Sequence, residues 1–500
     1  MLIYPSVAAG TMKAPPSKSM AHRYIICAAL SGGKSILDNV ALSEDIKATL
    51  NCIKLLGADY TVTGDSVEII GANCAKTAAA SRCAPTEASP AERLFPCNES
   101  GSTLRFFIPL ALLSAGRSVF TGSSVLLSRP LSVYEDIFSR QNILFERIDG
   151  RIEVEGRLKA DDFSVPGNIS SQFITGLLFT LPLLDKDSTI TLTGTIESKP
   201  YIDMTLQVQA EFGIKSYWKD ERTLFIAGNQ SYKSTDAQVE GDYSNAAFFE
   251  ALNAIGGSVK IDGLREDSLQ GDKVYKELFT RLKNAEPFPA GAGGAARQTE
   301  EARVTEDACV CGAAQPTEAA CVTEKSSQTP AARQTGASCV TEDACVCRVA
   351  PQTEDVRVTE NSPLTPAAID ISDCPDLGPI LFAVAAALNG GVFTGTKRLE
   401  IKESNRGKVM CEELAKFGIK TRMEDNSITI YPGTLKTPLE ILSGHNDHRI
   451  VMSLVTLLTL TGGRIEGVQA VKKSLPDYFS RIKKLGIRFD FEGETYGLDN

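Results

Sequence analysis

Apolar residues are gathered in six long runs; each is opened by a polar or charged cluster and closes at a small-residue turn that leads into β-rich sequence. The openings are His22-Arg23, Thr103-Leu104-Arg105, Ser171-Gln172, Tyr243-Ser244-Asn245, Pro375-Asp376-Leu377 and Asp447-His448-Arg449. Self-similarity at a period of roughly 70 residues marks stacked supersecondary units. Over about 10 to 14 residues the runs show no polar face, which predicts helices buried almost all round. A second, amphipathic helix follows in most units, as in DIKATLNCIKLLGADY and KVMCEELAKFGIKTRM, and its single apolar stripe predicts an outer position. Several of these end in Gly and a short alternating strand, as at Phe417-Gly418-Ile419-Lys420-Thr421, the pattern of a Gly C-cap leading into a sheet. The expected fold is α/β, and because three units can close a core, six predict two lobes with a cleft between them.

Composition refines this picture. The 500 residues, 43% hydrophobic and 23% charged, fit a soluble chain of two or more domains. No apolar run reaches the roughly 18 residues of a membrane span. The start MLIYPSVAAGTMK has no basic-then-apolar signal pattern, so a cytoplasmic location is expected. A net charge of -10 argues against a nucleic-acid surface, which needs a basic footprint. Of 13 cysteines, Cys309, Cys311, Cys321, Cys339, Cys345 and Cys347 lie between Glu286 and Thr365, where VTEDACVC recurs at Val304 and Val340. That stretch has too few large apolar residues to offset ordering and is expected to be a disordered insertion. Its two C-x-C pairs without suitably spaced His are a weak zinc pattern. Ala75 to Glu92 is a smaller stretch of the same flavour. Cys27, Cys52 and Cys411 sit in helical patterns and read as small buried hydrophobes.

The cations collect where the core helices begin. Lys18 and Arg23 lie in P-P-S-K-S-M-A-H-R, with Ser17 as a capping signal. A lysine near a helix N-terminus opposes the macrodipole unless an anion sits between them. His448-Arg449 repeats the arrangement, and Gly101-Ser102-Thr103-Leu104-Arg105 is a small-residue turn whose N–H groups suit a carboxylate or phosphate. Ser170-Ser171-Gln172 offers hydroxyls and an amide at a third helix start. Lys402 and Arg406 are predicted on one helical face at i, i+4, with Glu403 beside them; taken alone this is equally a surface ion-pair helix. Asp376 is either an N-cap or, beside cations and a substrate hydroxyl, a general base. With Arg129 and Lys473, these cations point to a ligand set rich in phosphates and carboxylates.

Taken together, the chain resembles the 5-enolpyruvylshikimate-3-phosphate synthase (3-phosphoshikimate 1-carboxyvinyltransferase) family. The likeness rests on P-S-K-S-x-x-x-R from Pro16, G-S-T-L-R from Gly101, S-R-P from Ser128, S-S-Q-F from Ser170, S-K-P-Y-I-D from Ser198, E-G-D from Glu240, P-D at Pro375, K-E-S-x-R from Lys402, N-D-H-R from Asn446 and K-x-x-P-D-Y-F from Lys473. It spans nearly the whole chain outside the two insertions. The resemblance implies a two-lobed inside-out α/β barrel of six βαβαββ repeats, three per lobe, with 18–240 forming one lobe and 1–17 plus 241–500 the other. The implied reaction moves the enolpyruvyl group of phosphoenolpyruvate to the 5-hydroxyl of shikimate 3-phosphate, with release of phosphate, in the shikimate pathway of aromatic amino-acid synthesis. It implies no cofactor, no metal, no nucleic-acid or membrane partner, and a monomer.

By the same resemblance, Lys18, Ser19, Arg23, Ser170, Ser171, Gln172, Ser198, Tyr201, Asp376 and Lys402 contact shikimate 3-phosphate. Lys18, Gly101, Arg129, Gln172, Arg406, Arg449 and Lys473 clamp phosphoenolpyruvate, and Asp376, Glu403 and Lys18 are the catalytic groups, with Glu403 or a lysine protonating the methylene carbon. Glu99 and Ser100 precede Gly101 where many family members have Asn and a small residue, Phe106 replaces a common Pro, and Arg398 stands where an Asn contact often lies. Two other readings stay open on the residues. One is UDP-N-acetylglucosamine enolpyruvyl transferase, disfavoured by Ser19 and Ser124 at positions where that enzyme has Asn and a reactive Cys. The other is an inactive anion-binding scaffold, disfavoured by the presence of Asp376 and Glu403 with the clamp cations.

Overall fold

The computed structural model describes residues 1–72, 92–286 and 366–491. The expectations for Ala75–Glu92 and Glu286–Thr365, with their cysteines, fall almost wholly outside these residues. The six apolar runs are helices, Lys18–Leu30, Gly101–Ala111, Ser171–Thr180, Tyr243–Ala254, Gly378–Ala387 and His448–Thr461. Every residue of the first from Met20 onward is buried, as are nine of the ten in the fifth, so the missing polar face has its expected cause. Five carry a side-chain cap. Ser17 accepts from Met20 N (3.4 Å), Ser100 from Thr103 N (3.2 Å), Ser170 from Gln172 N (3.3 Å), Asp242 from Asn245 N (2.7 Å) and Asp447 from Arg449 N (2.9 Å). The fifth helix is instead entered through a 3-10 turn, Pro375–Leu377, with no side-chain cap, so Asp376 is not an N-cap and its carboxylate is left for other work.

Short sheets flank these helices. In one unit, Glu92–Pro96 and Arg117–Thr121 pair in parallel around the second core helix, then Arg151–Glu155 and Leu144–Ile148 add antiparallel. The same βαβαββ order recurs with Asp162–Pro166, Ser188–Thr193, Ser216–Trp218 and Thr223–Ile226, and with Ala368–Asp370, Gly391–Thr394, Thr421–Glu424 and Ser427–Ile430. Among the described residues five sheets are four-stranded and one, Ala9–Lys13 with Ser258–Asp262, is two-stranded. Strands such as Lys34–Asp38 alternate exposed and buried positions, which puts one sheet face in solvent and the helices inside. The amphipathic second helices are present as Glu44–Lys54, Ser132–Arg140, Lys199–Glu211, Tyr275–Asn284, Arg406–Lys416 and Tyr478–Lys484.

Three units take a strand from a distant part of the chain, and in one of them Leu2–Ile3 lies antiparallel between Gly463–Glu466 and Phe489–Asp490. Ala9–Lys13 pairs with Ser258–Asp262, and Ala237–Gln238 pairs with Lys34–Asp38, both in parallel. The chain therefore passes between the lobes at Ala14–Ser17 and at Val239–Asp242. These passages run side by side, with Ser17 N donating to Glu240 O (2.8 Å) and Asp242 N to Pro15 O (2.7 Å). Gln270 reinforces them, its amide donating to Glu240 Oε1 (2.7 Å) and Gly241 O (2.8 Å). One hydrophobic core spans Met20 to Val239; the other combines Ile3, Ala8 and Met12 with residues from Tyr243 to Ile487.

Core packing explains an apparent defect in the second core helix. Pro109 lies inside Gly101–Ala111 and cannot donate to the carbonyl four residues back, that of Arg105. The buried Tyr134 hydroxyl donates to that carbonyl instead, at 2.6 Å. The third helix passes close by through Gly176, where an added Cβ would lie 2.4 Å from Tyr134 Oη and 2.6 Å from Arg105 O. A helix opening with a ligand-facing Arg105 is thus held in place by contacts one turn further in.

Candidate functional site

All six core helices direct their N-terminal ends to one cleft. It is lined by Lys18, Ser19 and Arg23 of the first, Gly101, Ser102 and Arg105 of the second, Ser171 and Gln172 of the third and Ser244 of the fourth. Asp376 ahead of the fifth and His448 and Arg449 of the sixth complete the ring. Each helix start carries partial positive charge and outward N–H groups, so their convergence makes an anion site from backbone alone. Seven cationic and five carboxylate side chains line the same cleft. Arg23, Arg105 and Arg129 have no carboxylate within ion-pair distance among the described residues. Arg23 donates only to neutral groups, Thr205 Oγ1, Ser19 O and Tyr201 O, and Arg105 to Gln172 Oε1 and Pro130 O. Burial pushes Arg23 down to about 10; burial and then Arg129 push Arg105 down to about 9, which is what uncompensated cations in a dry site should show.

Asp376 is the hub. Its Oδ1 takes Arg406 Nη1 (2.9 Å) and Lys402 Nζ (3.1 Å), its Oδ2 takes Arg449 Nη2 (3.1 Å) and Tyr201 Oη (3.3 Å), and its carbonyl takes Arg449 Nη1 (3.0 Å). Burial alone would raise this carboxyl, but Arg449, Lys402 and Arg406 outweigh it and hold it well below the usual range. Glu403 is held low likewise, burial being outweighed first by Arg406 and then by Arg129. Asp272, in contrast, is 3% exposed and is pushed up to about 6 by burial and by Asp376. His448 is buried, and burial followed by Lys18 lowers it well, which leaves a neutral imidazole at neutral pH.

Of the residues expected at the site, all but two line the cleft. Arg406 lies behind it, 1% exposed, donating to Asp376, Glu403 (2.5 Å) and Asp447. Lys473 sits at the rim, its Nζ paired with Glu99 and donating to Asn446 O (2.5 Å). The expectation that Lys402 and Arg406 share a helical face is corrected. Lys402 is extended, just past the 3-10 turn Lys397–Ile401, and Arg406 opens a new helix capped by Asn405. The two converge because both reach Asp376. Sequence reading gave no role to Asp45, which pairs with Lys18 Nζ at 2.7 Å, to Asp272, or to Arg398, whose Nη1 donates to Ser198 Oγ. The first two had no local signal, because each meets the cleft through partners far away in the chain. Ser198 itself is in the left-handed region at φ 56. No three His, Cys, Asp or Glu side chains among the described residues are placed to share a metal ion.

A family model described as EPSP synthase (3-phosphoshikimate 1-carboxyvinyltransferase) matches residues 4–285 and 337–482. The chain belongs to the EPSP synthase family. Curated proteins named 3-phosphoshikimate 1-carboxyvinyltransferase from Clostridium beijerinckii and Clostridioides difficile are each 36% identical to it, over 98% of this chain and 98% of the relative. An EPSP synthase from Acinetobacter baumannii shares the fold at TM-score 0.65 and 18% identity, covering 97% of this chain and 98% of that one. The enolpyruvyl transferase NikO from Streptomyces tendae does so at TM-score 0.63 and 12% identity, covering 97% of each. The two-lobed α/β architecture is therefore that of EPSP synthase family structures. Among the described residues of this family member no helix is long and apolar enough to cross a membrane.

Proposed function

We propose that the chain transfers the enolpyruvyl group of phosphoenolpyruvate to the 5-hydroxyl of shikimate 3-phosphate, releasing phosphate. The observation that carries this is Asp376, an ionised carboxylate at the centre of six helix N-termini and a ring of cations. As the hydroxyl oxygen attacks C2 of phosphoenolpyruvate, Asp376 accepts the hydroxyl proton and the methylene carbon gains one to become a methyl group. The tetrahedral adduct then loses a proton from that methyl group as the C2–O bond to phosphate breaks, which restores the double bond. Arg406 and Arg129 hold the Glu403 carboxyl well below its usual range, which favours Lys18, paired with Asp45, over Glu403 as the donor to carbon and gives Glu403 the task of fixing Arg406.

In this reading Ser19, Arg23, Ser170, Ser171, Gln172, Ser198, Tyr201 and Lys402 hold shikimate 3-phosphate. Gly101, Arg129, Arg449 and Lys473 hold phosphoenolpyruvate, with Lys18 and Gln172 touching both, while Arg406, engaged by Asp376, Glu403 and Asp447, acts on the clamp from behind the cleft. Fixed cations stabilise charge as it moves between carboxylate and phosphate, and the lobes exclude water when closed. In the same reading the protein works as a cytoplasmic monomer, and a net charge of -10 gives no basic footprint for a nucleic-acid partner. The test is phosphate release from phosphoenolpyruvate with each of two acceptors. Turnover with shikimate 3-phosphate and none with UDP-N-acetylglucosamine is expected, and the reverse pattern rules the reading out.

A further inference from the structure

The rim of the cleft holds an ion pair that joins the lobes. Glu99 belongs to the turn just ahead of the Gly101 helix, in the first lobe; Asn446 and Lys473 belong to the second. The Lys473 ammonium pairs with the Glu99 carboxylate, and the Asn446 amide donates to both Glu99 oxygens at 3.2 Å. Asn446 is left-handed at φ 53, as is His445 before it at φ 46, a kinked loop that brings the Asn446 carbonyl onto Lys473 and its amide onto Glu99. Lys473 is 12% exposed and Glu99 35%.

We propose that Glu99 is a built-in counter-ion which phosphoenolpyruvate displaces from Lys473, and so a residue that sets affinity for that substrate. The proposal rests on the reading of Lys473 as part of the phosphoenolpyruvate clamp. An ammonium already neutralised by a carboxylate offers an incoming anion little net attraction, and the Glu99 carboxylate repels the substrate's own charges. Two of the three Lys473 N–H groups are engaged, by Glu99 and the Asn446 carbonyl, so one is left to begin the exchange. The pair sits at the rim and is partly open to water, chiefly on the Glu99 side, so an incoming anion can compete with it. Glu99 thereby holds the rim when the cleft is empty, and the substrate takes over Lys473 when it is filled.

The test is Glu99→Gln in the full chain, a change that keeps the hydrogen-bonding shape and removes the charge. The KM for phosphoenolpyruvate is expected to fall roughly three- to fivefold, the range an exposed ion pair is worth, while kcat and the KM for shikimate 3-phosphate stay within about twofold. In a Lys473→Met background the same substitution is expected to leave the KM for phosphoenolpyruvate unchanged. An unchanged or raised KM in Glu99→Gln overturns the proposal, as does an equal fall without Lys473. If the parent protein shows no turnover with shikimate 3-phosphate, the functional reading fails on that ground alone. Calorimetric titration of phosphoenolpyruvate into parent and Glu99→Gln protein then still decides whether Glu99 weakens its binding.

Discussion

Arg406 grips Asp447 in a two-pronged contact, Nε to Oδ2 at 2.8 Å and Nη2 to Oδ1 at 3.2 Å, with both side chains at most 1% exposed. The remaining reach of the guanidinium goes to Asp376 and Glu403. One arginine thus fixes two carboxylates at the cleft while itself anchored to the cap of the sixth core helix. Arginine suits this because its planar fork serves several acceptors at set angles, which a lysine cannot do.

Asp376→Asn keeps the shape of this hub but removes the base. Turnover is expected to fall by roughly 10³-fold, within the usual range for a lost general base, with the far-ultraviolet circular dichroism unchanged. Phosphate release within tenfold of the parent rate would show that another group takes the proton.

At Gly101 an added Cβ would meet Arg129 Nη1 at 2.8 Å and nothing else closer than 3.8 Å. The obstacle is the tip of a flexible side chain, so Gly101→Ala should fold normally and displace the guanidinium instead. The expected result is a KM for phosphoenolpyruvate raised by about tenfold or more at an unchanged melting temperature. A lowered melting temperature with unchanged KM would contradict this.

Tyr134→Phe deletes one hydroxyl in the core and leaves the Arg105 carbonyl opposite Pro109 without its donor. An unpaired buried acceptor costs about 1–3 kcal/mol. Urea denaturation should show a lower midpoint; no shift would mean that the carbonyl finds another partner.

Asp272 predicts a pH dependence. Its carboxyl is raised from 3.8 to about 6 by burial and by Asp376, against the opposing pull of Arg449. The fold therefore holds this proton more tightly than the unfolded chain does. Its contribution is complete below about 4 and is lost as the pH rises through about 6. Asp272→Asn cannot ionise, so it is expected to be more stable than the parent at pH 8, by roughly 1–3 kcal/mol, and nearly equal to it at pH 4. Melting temperatures at the two pH values decide; an equal difference at both refutes the assignment.

Much of this was legible in the chain because the signals are local. An apolar run with no polar face, preceded by Ser17, Ser170 or Asp447, fixes a helix, its burial and its start within a dozen residues. The convergence of Lys18, Arg105, Gln172 and Arg449 was legible through repetition, since equivalent positions of equivalent units face the same way. What failed was geometry across a break. Lys402 and Arg406 have helical spacing, yet a turn separates them, and only Asp376, some 26 residues earlier, brings them together. Asp45 and Asp272 escaped notice for the same reason, because neither stands beside a partner in sequence.

The exchanged strands also bear on how the molecule can be made. A ribosome that has released everything up to Gln230 has not yet supplied Ala237–Gln238, the edge that finishes the sheet begun at Lys34. Leu2–Ile3, the earliest strand to emerge, waits still longer, until Gly463–Glu466 and Phe489–Asp490 arrive to flank it. Cutting the gene at either passage would leave Leu2–Ile3 and Ala9–Lys13 on one fragment and the strands they pair with, Gly463–Glu466, Phe489–Asp490 and Ser258–Asp262, on the other, so the second lobe is bound to an assembly schedule that spans the whole chain.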